Sequence, residues 1–130
     1  MFNEDNAKLV EYTLPDGTVA NAKLYIVDKE VGTGTEVVDT STVKVHYRGW
    51  LEDGTEFDKT INANGSEIKD PISFPLSGVI EGWRNGLQGM KVGGTRYLKI
   101  PAELGYGANQ NGLIPANSIL YFEVKLLEVL

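Results

Sequence analysis

Reactive side chains are scarce in this sequence. It holds no cysteine and one histidine, His46. That removes disulfides, thiolate metal sites, cysteine nucleophiles and dithiol redox chemistry, and one histidine cannot build a His-rich metal centre. Carboxylates pair at Glu52–Asp53 and at Glu56–Asp58. Acid–base work would need the two members held in different environments. The first pair sits at a turn and the second on alternating strand positions, where carboxylates are ordinarily solvated. Gly93-Gly94 has no Gly-x-x-x-x-Gly-Lys ahead of a helix and is no phosphate loop. A Ser–His–Asp site would have to use His46, which lies between Val45 and Tyr47 in an alternating strand and reads as structural. Neither a metal nor a cofactor is expected.

What remains is an apolar and aromatic set with a few polar tips: Tyr47, Phe57, Asp58, Phe74, Val79, Ile80, Trp83, Tyr106, Ile114 and Phe122. Periodicity alone leaves two readings of it open. One is plain hydrophobic core. The other is a pocket, because the aromatics come from many separate segments, as pocket walls do. Moreover, Tyr47, Asp58 and Tyr106 carry polar tips that a dry core would have to satisfy.

The elements that position this set can be read from periodicity. Val43 to Arg48 alternates apolar and polar residues and predicts a strand. It leads through Leu51-Glu52-Asp53-Gly54-Thr55, an Asp-Gly hairpin signal, to a return arm with Phe57. Arg96 to Ile100 alternates too, ended by Pro101, which has no ladder donor. Leu120, Phe122, Val124 and Leu126 share one parity, with Tyr121, Glu123 and Lys125 on the other. These are antiparallel strands with one wet face. From Val79 to Met90 the spacing of Val79, Ile80, Trp83, Leu87 and Met90 predicts a helix. Gly82 and Gly86 cost it about 1 kcal/mol each and leave room for a neighbour against its backbone. Gly93-Gly94 turns the chain into the next strand. The fold class is α+β, an antiparallel sheet covering one short helix.

At 130 residues the chain makes one domain, which buries roughly two-thirds of its unfolded surface without staples. Residues 1–22 read as an N-terminal extension, in which Leu14-Pro15-Asp16-Gly17-Thr18-Val19 forms an extra hairpin or an edge strand; residues 23–130 are the main domain. Fifteen glycines, above the average of about 7%, indicate many tight turns. The net charge of −6 leaves no basic patch for nucleic-acid phosphates or anionic lipid. No apolar run approaches the roughly 18 residues of a spanning helix. Met1-Phe2-Asn3-Glu4-Asp5 is acidic and lacks the basic-then-apolar run of a signal peptide. A cytoplasmic address is favoured, with an exported or envelope form open if the chain is a mature or truncated one. A monomer is the expected state.

Several motifs, in order over residues 23–130, resemble one family. They are Val45-His46-Tyr47-Arg48-Gly49 and Leu51-Glu52-Asp53-Gly54-Thr55-Glu56-Phe57-Asp58, then Phe74-Pro75-Leu76 with Val79-Ile80-Glu81-Gly82-Trp83. Gly86-Leu87-Gln88-Gly89-Met90-Lys91-Val92-Gly93-Gly94, Ile100-Pro101-Ala102-Glu103-Leu104-Gly105-Tyr106-Gly107, Ile114-Pro115 and Leu120 to Leu126 complete the set. Together they resemble the FKBP-type peptidyl-prolyl cis-trans isomerases, rotamases that assist protein folding. The Phe-Pro-Leu and Gly-Leu-Gln-Gly-Met wording is similar to the bacterial, Mip-like branch.

The resemblance implies a bent antiparallel half-barrel wrapped around a short helix, with the pocket between them. It places Trp83 as the floor under a substrate proline, and Tyr47, Phe57, Phe74, Val79, Ile80 and Phe122 as walls. The Ile80 N–H and the Tyr106 hydroxyl become donors to ligand carbonyls, and Asp58 a buried polar contact. Ile72, Leu113 and Ile114 join the substrate-binding set, with Ile72 standing where the family often has an aromatic. Implied ligands are proline-containing polypeptides and the macrolides tacrolimus or rapamycin. The alternative is a non-catalytic module that holds a proline peptide or a macrolide. Two departures matter. The loop from Lys59 to Asp70 has no arginine to pair with Asp58, and Asn109 to Leu113 is too short for an inserted chaperone domain.

Overall fold

The computed structural model describes residues 7–13 and 19–130, with the backbone alone at 11–13 and 19–22. Among the described residues seven strands form one antiparallel sheet: β1 (Lys8–Thr13), β2 (Val19–Glu30), β3 (Thr42–Leu51), β4 (Glu56–Lys59), β5 (Ile72–Pro75), β6 (Thr95–Ile100) and β7 (Leu120–Val129). Their order is β1-β2-β6-β7-β3-β4, and β5 also pairs with β3. Since β7 covers one edge of β3 along its length, β4 and β5 share the other edge, near Arg48–Trp50 and Thr42–Val45 respectively.

At the far edge β1 pairs with β2, Lys8 opposite Ile26 and Thr13 opposite Val19. The Leu14-Pro15-Asp16-Gly17-Thr18 turn read from the sequence lies outside the described residues. The 22/23 boundary falls inside β2, which runs unbroken from Val19 to Glu30.

The single α-helix among the described residues, α1 (Glu81–Gly86), lies against the inner face of the sheet. It is shorter than the apolar spacing predicts. Val79 is extended, Ile80 is the N-cap, and Leu87 to Met90 continue as turns, with Gly89 at φ 77. Both helix glycines face the sheet. A Cβ at Gly82 would lie 2.4 Å from Ile100 Cγ2, and one at Gly86 2.9 Å from Leu98 Cδ2. Helix propensity is given up there for close approach to two fully buried side chains. Leu24, Val43, Val45, Leu120 and Val124 complete that interior.

The wet outer face expected of these strands is a correction: part of it is buried. Glu123 is 5% exposed because Arg48 Nε donates to its Oε1 at 2.6 Å and Lys29 Nζ lies 3.4 Å from Oε2. The Arg48 guanidinium sits 4.2 Å from the centre of the Trp50 ring, which stacks on Tyr121. On the inner face, opposite Val124, buried Arg96 of β6 reaches to Asp28 (2.7 Å) and to the Gly86 and Gln88 carbonyls (2.8 and 3.0 Å), satisfying acceptors at and just beyond the end of α1. On the outer face Arg48 and Glu123 thus pair with each other across strands instead of meeting water. Among the described residues no helix is long and apolar enough to cross a membrane.

Candidate active site

The inner face of β3 carries Tyr47 toward α1. Asp58 on β4 and Phe122 on β7 both lie opposite Gly49, so the pair register brings them to the same face of the sheet. Phe74 comes from β5, Val79 and Ile80 from the lead into α1, and Trp83 from its first turn. Tyr106 follows the 3-10 turn Ala102–Leu104. These residues line an open cavity of about 580 Å³ together with Phe57, Gly78, Asn111, Gly112, Leu113 and Ile114. That size suits a small ligand or a peptide segment.

Trp83 is its floor. Tyr47, Phe74 and Phe122 meet the indole edge to face, at centroid distances of 5.4, 5.5 and 5.3 Å and interplanar angles of 85°, 76° and 89°. Phe57 stands at 83° to Phe122, 5.5 Å away. Contacts of this kind contribute about 0.5–1.5 kcal/mol each beyond burial. They also hold the walls upright around the floor.

Polar groups in the cavity are few. The Tyr47 hydroxyl donates to the Asp58 carboxylate. Burial of the Tyr47 phenol, and then the Asp58 anion beside it, push its pKa well above the ordinary value of 10.0, so it is a neutral donor at physiological pH. As α1's N-cap, Ile80 has a carbonyl that accepts from Trp83 and Arg84 (3.0 and 3.1 Å), while its N–H has no protein acceptor among the described residues. That is the ordinary state of a helix start, and it leaves a donor at the cavity wall.

Eleven of the twelve residues singled out from the sequence come together here. Ile72 does not. It sits opposite Val45 on β5, 37% exposed, past the end of the cavity. Asp58 corrects a second expectation, for its carboxylate lies exposed at the cavity edge and not buried. The missing arginine leaves its hydrogen bond to Tyr47. Gly78, Asn111 and Gly112 are cavity residues that the sequence motifs do not mark. An Asn-Gly turn signal at Asn111-Gly112 could have found the last two, since Gly112 adopts φ 56.

His46, Glu56 and Asp53 find their partners outside the cavity. His46 is 2% exposed and faces away from it, its Nδ1 2.9 Å from Thr60 Oγ1 and its Nε2 3.5 Å from the Glu67 carboxylate. Glu56 takes Lys59 at 2.9 Å while Asp58 takes Tyr47, so that carboxylate pair is divided between partners. Asp53 Oδ1 accepts from the Thr55 N–H at 2.9 Å within its turn, which lowers its pKa. Among the described residues no three metal-ligating side chains converge.

An antiparallel sheet over a short helix, with an aromatic cleft between them, defines a class of protein that can hold apolar groups. The model of the FKBP-type peptidyl-prolyl cis-trans isomerase family matches residues 34–127, and the chain belongs to that family. It is 45% identical over 109 residues to the FK506-binding protein of Neisseria meningitidis serogroup B, a match covering 82% of this chain and 95% of that one. It is 44% identical to the isomerase FkpA of Aeromonas hydrophila over 81% of this chain, spanning 37% of the relative. The crystal structure of FkpA from Escherichia coli superposes with a TM-score of 0.72 at 42% identity, over 92% of this chain and 51% of the other.

Proposed function

We propose that the Trp83 cavity is where this isomerase acts, with proline-containing polypeptides as its substrates and the Xaa-Pro imide rotating above the indole. The peptide bond resists rotation by about 18–20 kcal/mol because of resonance. Before proline the cis and trans forms are close in energy, yet they exchange only over tens to hundreds of seconds. At the twisted midpoint conjugation is lost and the amide is less polar than in either planar form. An apolar cleft therefore favours the midpoint over the ground states, which is the differential binding that catalysis requires.

The Ile80 N–H and the Tyr106 hydroxyl supply donors for the flanking carbonyls, and Tyr47 with Asp58 closes one side. Lowering the barrier by about 7 kcal/mol would accelerate the exchange roughly 10⁵-fold. No covalent intermediate or proton transfer enters. The observation that carries this reading is the open cavity floored by Trp83, with three rings standing on the indole. The macrolides tacrolimus or rapamycin are the ligands we assign to the same cavity, a reading supported by the Neisseria relative's name, FK506-binding protein.

A peptide isomerisation assay over a panel of residues before proline tests the proposal. Tyr106→Phe should lower kcat/KM about two- to tenfold, the worth of one neutral hydrogen bond, and Asp58→Ala should lower it as well, with both variants folded. Wild-type rates in both would remove the cavity's polar groups from catalysis, and a wild-type rate no higher than background would leave it a binding site only.

A further inference from the structure

Three Asn-Gly pairs occur in the chain: Asn64-Gly65, Asn85-Gly86 and Asn111-Gly112. Glycine has no Cβ to shield its backbone nitrogen. That nitrogen can therefore reach the preceding asparagine's side-chain carbonyl carbon and close a five-membered ring, and hydrogen bonds that hold either group oppose the closure.

In two pairs the groups are held. Asn64 Oδ1 accepts from the Ser66 N–H (3.0 Å) and hydroxyl (2.7 Å), and the Gly65 N–H donates to Asn62 O (2.9 Å). Asn85 is part of α1, its Nδ2 donating to the Glu81 carbonyl (2.9 Å), and Gly86 is packed against Leu98. The third pair is open. Asn111 and Ile114 hydrogen-bond to each other through both backbone groups at 2.9 Å, which fixes only the base of the turn. Asn111, Gly112 and Leu113 above it are exposed, and a Cβ at Gly112 would meet nothing within 4 Å. Among the described residues neither the Asn111 side chain nor the Gly112 N–H has a hydrogen-bond partner. This turn lines the Trp83 cavity, whose lining holds one carboxylate, Asp58, and no cationic side chain.

We infer that Asn111-Gly112 is a spontaneous deamidation site whose product sets a second carboxylate at the mouth of the isomerase pocket and shifts its preference toward cationic substrates. The functional half rests on the Trp83 cavity being the site of isomerisation; the chemical half does not. Solvent takes the Gly112 amide proton, and the nitrogen bonds to Asn111 Cγ. The Cγ–Nδ2 bond breaks, and ammonia leaves with a proton from solvent. Water then adds to either carbonyl of the succinimide. Opening at Cγ gives aspartate, and opening at the main-chain carbonyl gives isoaspartate. One water is consumed and one ammonia released, with no change of oxidation state. Either product adds a negative charge to the cavity lining that already holds Asp58, in a chain already at −6. Solvent screening holds the effect of one exposed charge to about twofold on each substrate.

The test incubates the full chain at mildly alkaline pH. Samples are taken for peptide mapping by mass spectrometry and for isomerisation of two peptides that differ only in Lys or Glu before proline. Conversion at Asn111 should outpace that at Asn64 and Asn85, and the Lys-to-Glu ratio of kcat/KM should rise up to about fourfold with it. Asn111→Asp should start at the raised ratio, and Asn111→Gln should show no drift. Conversion at Asn64 first overturns the site. Conversion at Asn111 with a flat ratio, or drift in Asn111→Gln, overturns the charge effect. A fresh wild-type rate no higher than background overturns the pocket reading and the functional half with it, while the mapping still decides the chemistry.

Discussion

Gly49 touches no substrate in the arrangement described, yet replacing it should disable the enzyme. It lies on β3 opposite both Asp58 and Phe122. A Cβ built there falls 2.7 Å from Phe122 Cε1, 2.7 Å from Phe57 Cζ and 2.9 Å from Phe57 Cε1. Each ring must retreat by well over half an ångström to restore ordinary contact, and the open direction is into the cavity. Gly49→Ala should therefore narrow the cleft from two sides. Misplacement of about 1 Å can cost up to roughly 10²-fold in rate, so kcat/KM should fall about 10- to 100-fold in the peptide isomerisation assay. The stability cost should stay near 1 kcal/mol, because the strain of overpacking is partly offset by the entropy that alanine saves in a strand.

Gly86→Ala is the matched control. Its Cβ meets Leu98 Cδ2 at 2.9 Å, a comparable overlap on the far side of the helix from the cleft. That variant should lose stability in thermal melts and keep its rate per folded molecule. If Gly49→Ala keeps wild-type kcat/KM with both rings displaced in its crystal structure, the position of the walls does not set the rate and the argument from cavity shape fails.

Tyr47→Phe tests the phenol. Its folded-state pKa is raised above 10.0, so its contribution is fully present below that pH and is lost as pH rises through the folded value. The alkaline decline in thermal stability above pH 10 should be shallower in Tyr47→Phe than in wild type, and parallel curves would refute the assignment. Tacrolimus at saturation should change the Trp83 fluorescence, because the ligand would cover the indole; an unchanged spectrum with binding seen by calorimetry would place the drug elsewhere. Arg96→Leu should lower stability by about 2–3 kcal/mol, the loss of charged hydrogen bonds to the carbonyls around the end of α1, read as a drop in Tm with activity intact below it.

Alternation in the sequence is a faithful guide to β3, β6 and β7, because inward positions of a strand answer directly to burial. It misleads about their outer face for a physical reason. A polar residue that meets water and one that meets a partner across the strand leave the same period-two trace, and Glu123 and Arg48 are of the second kind. Val79, Ile80, Leu87 and Met90 mimic a longer helix because the segments leading into and out of α1 also turn their apolar side chains inward. Asp58 at the cavity edge and Ile72 beyond it depend on how far β4 and β5 extend from β3, which no local pattern encodes. The cleft is readable because its walls belong to separate motifs that keep their order. Its lip at Asn111-Gly112 leaves no periodic trace and shows only as an Asn-Gly turn signal.

The one imidazole, by residue type the most obvious group for chemistry, belongs to the register instead. Thr60 donates its N–H to Tyr47 O at 2.7 Å, and its hydroxyl oxygen accepts from the Tyr47 N–H at 2.9 Å while meeting His46 Nδ1 at 2.9 Å. This buried knot joins the end of β4 to β3 two residues beyond Asp58. A slip of one residue between the strands would carry Asp58 to the outer face and set Phe57 or Lys59 opposite Gly49. The polar edge of an otherwise apolar cleft is thus held by groups that never face it. A chemistry that needs shape more than reactivity places its selective demand on such groups.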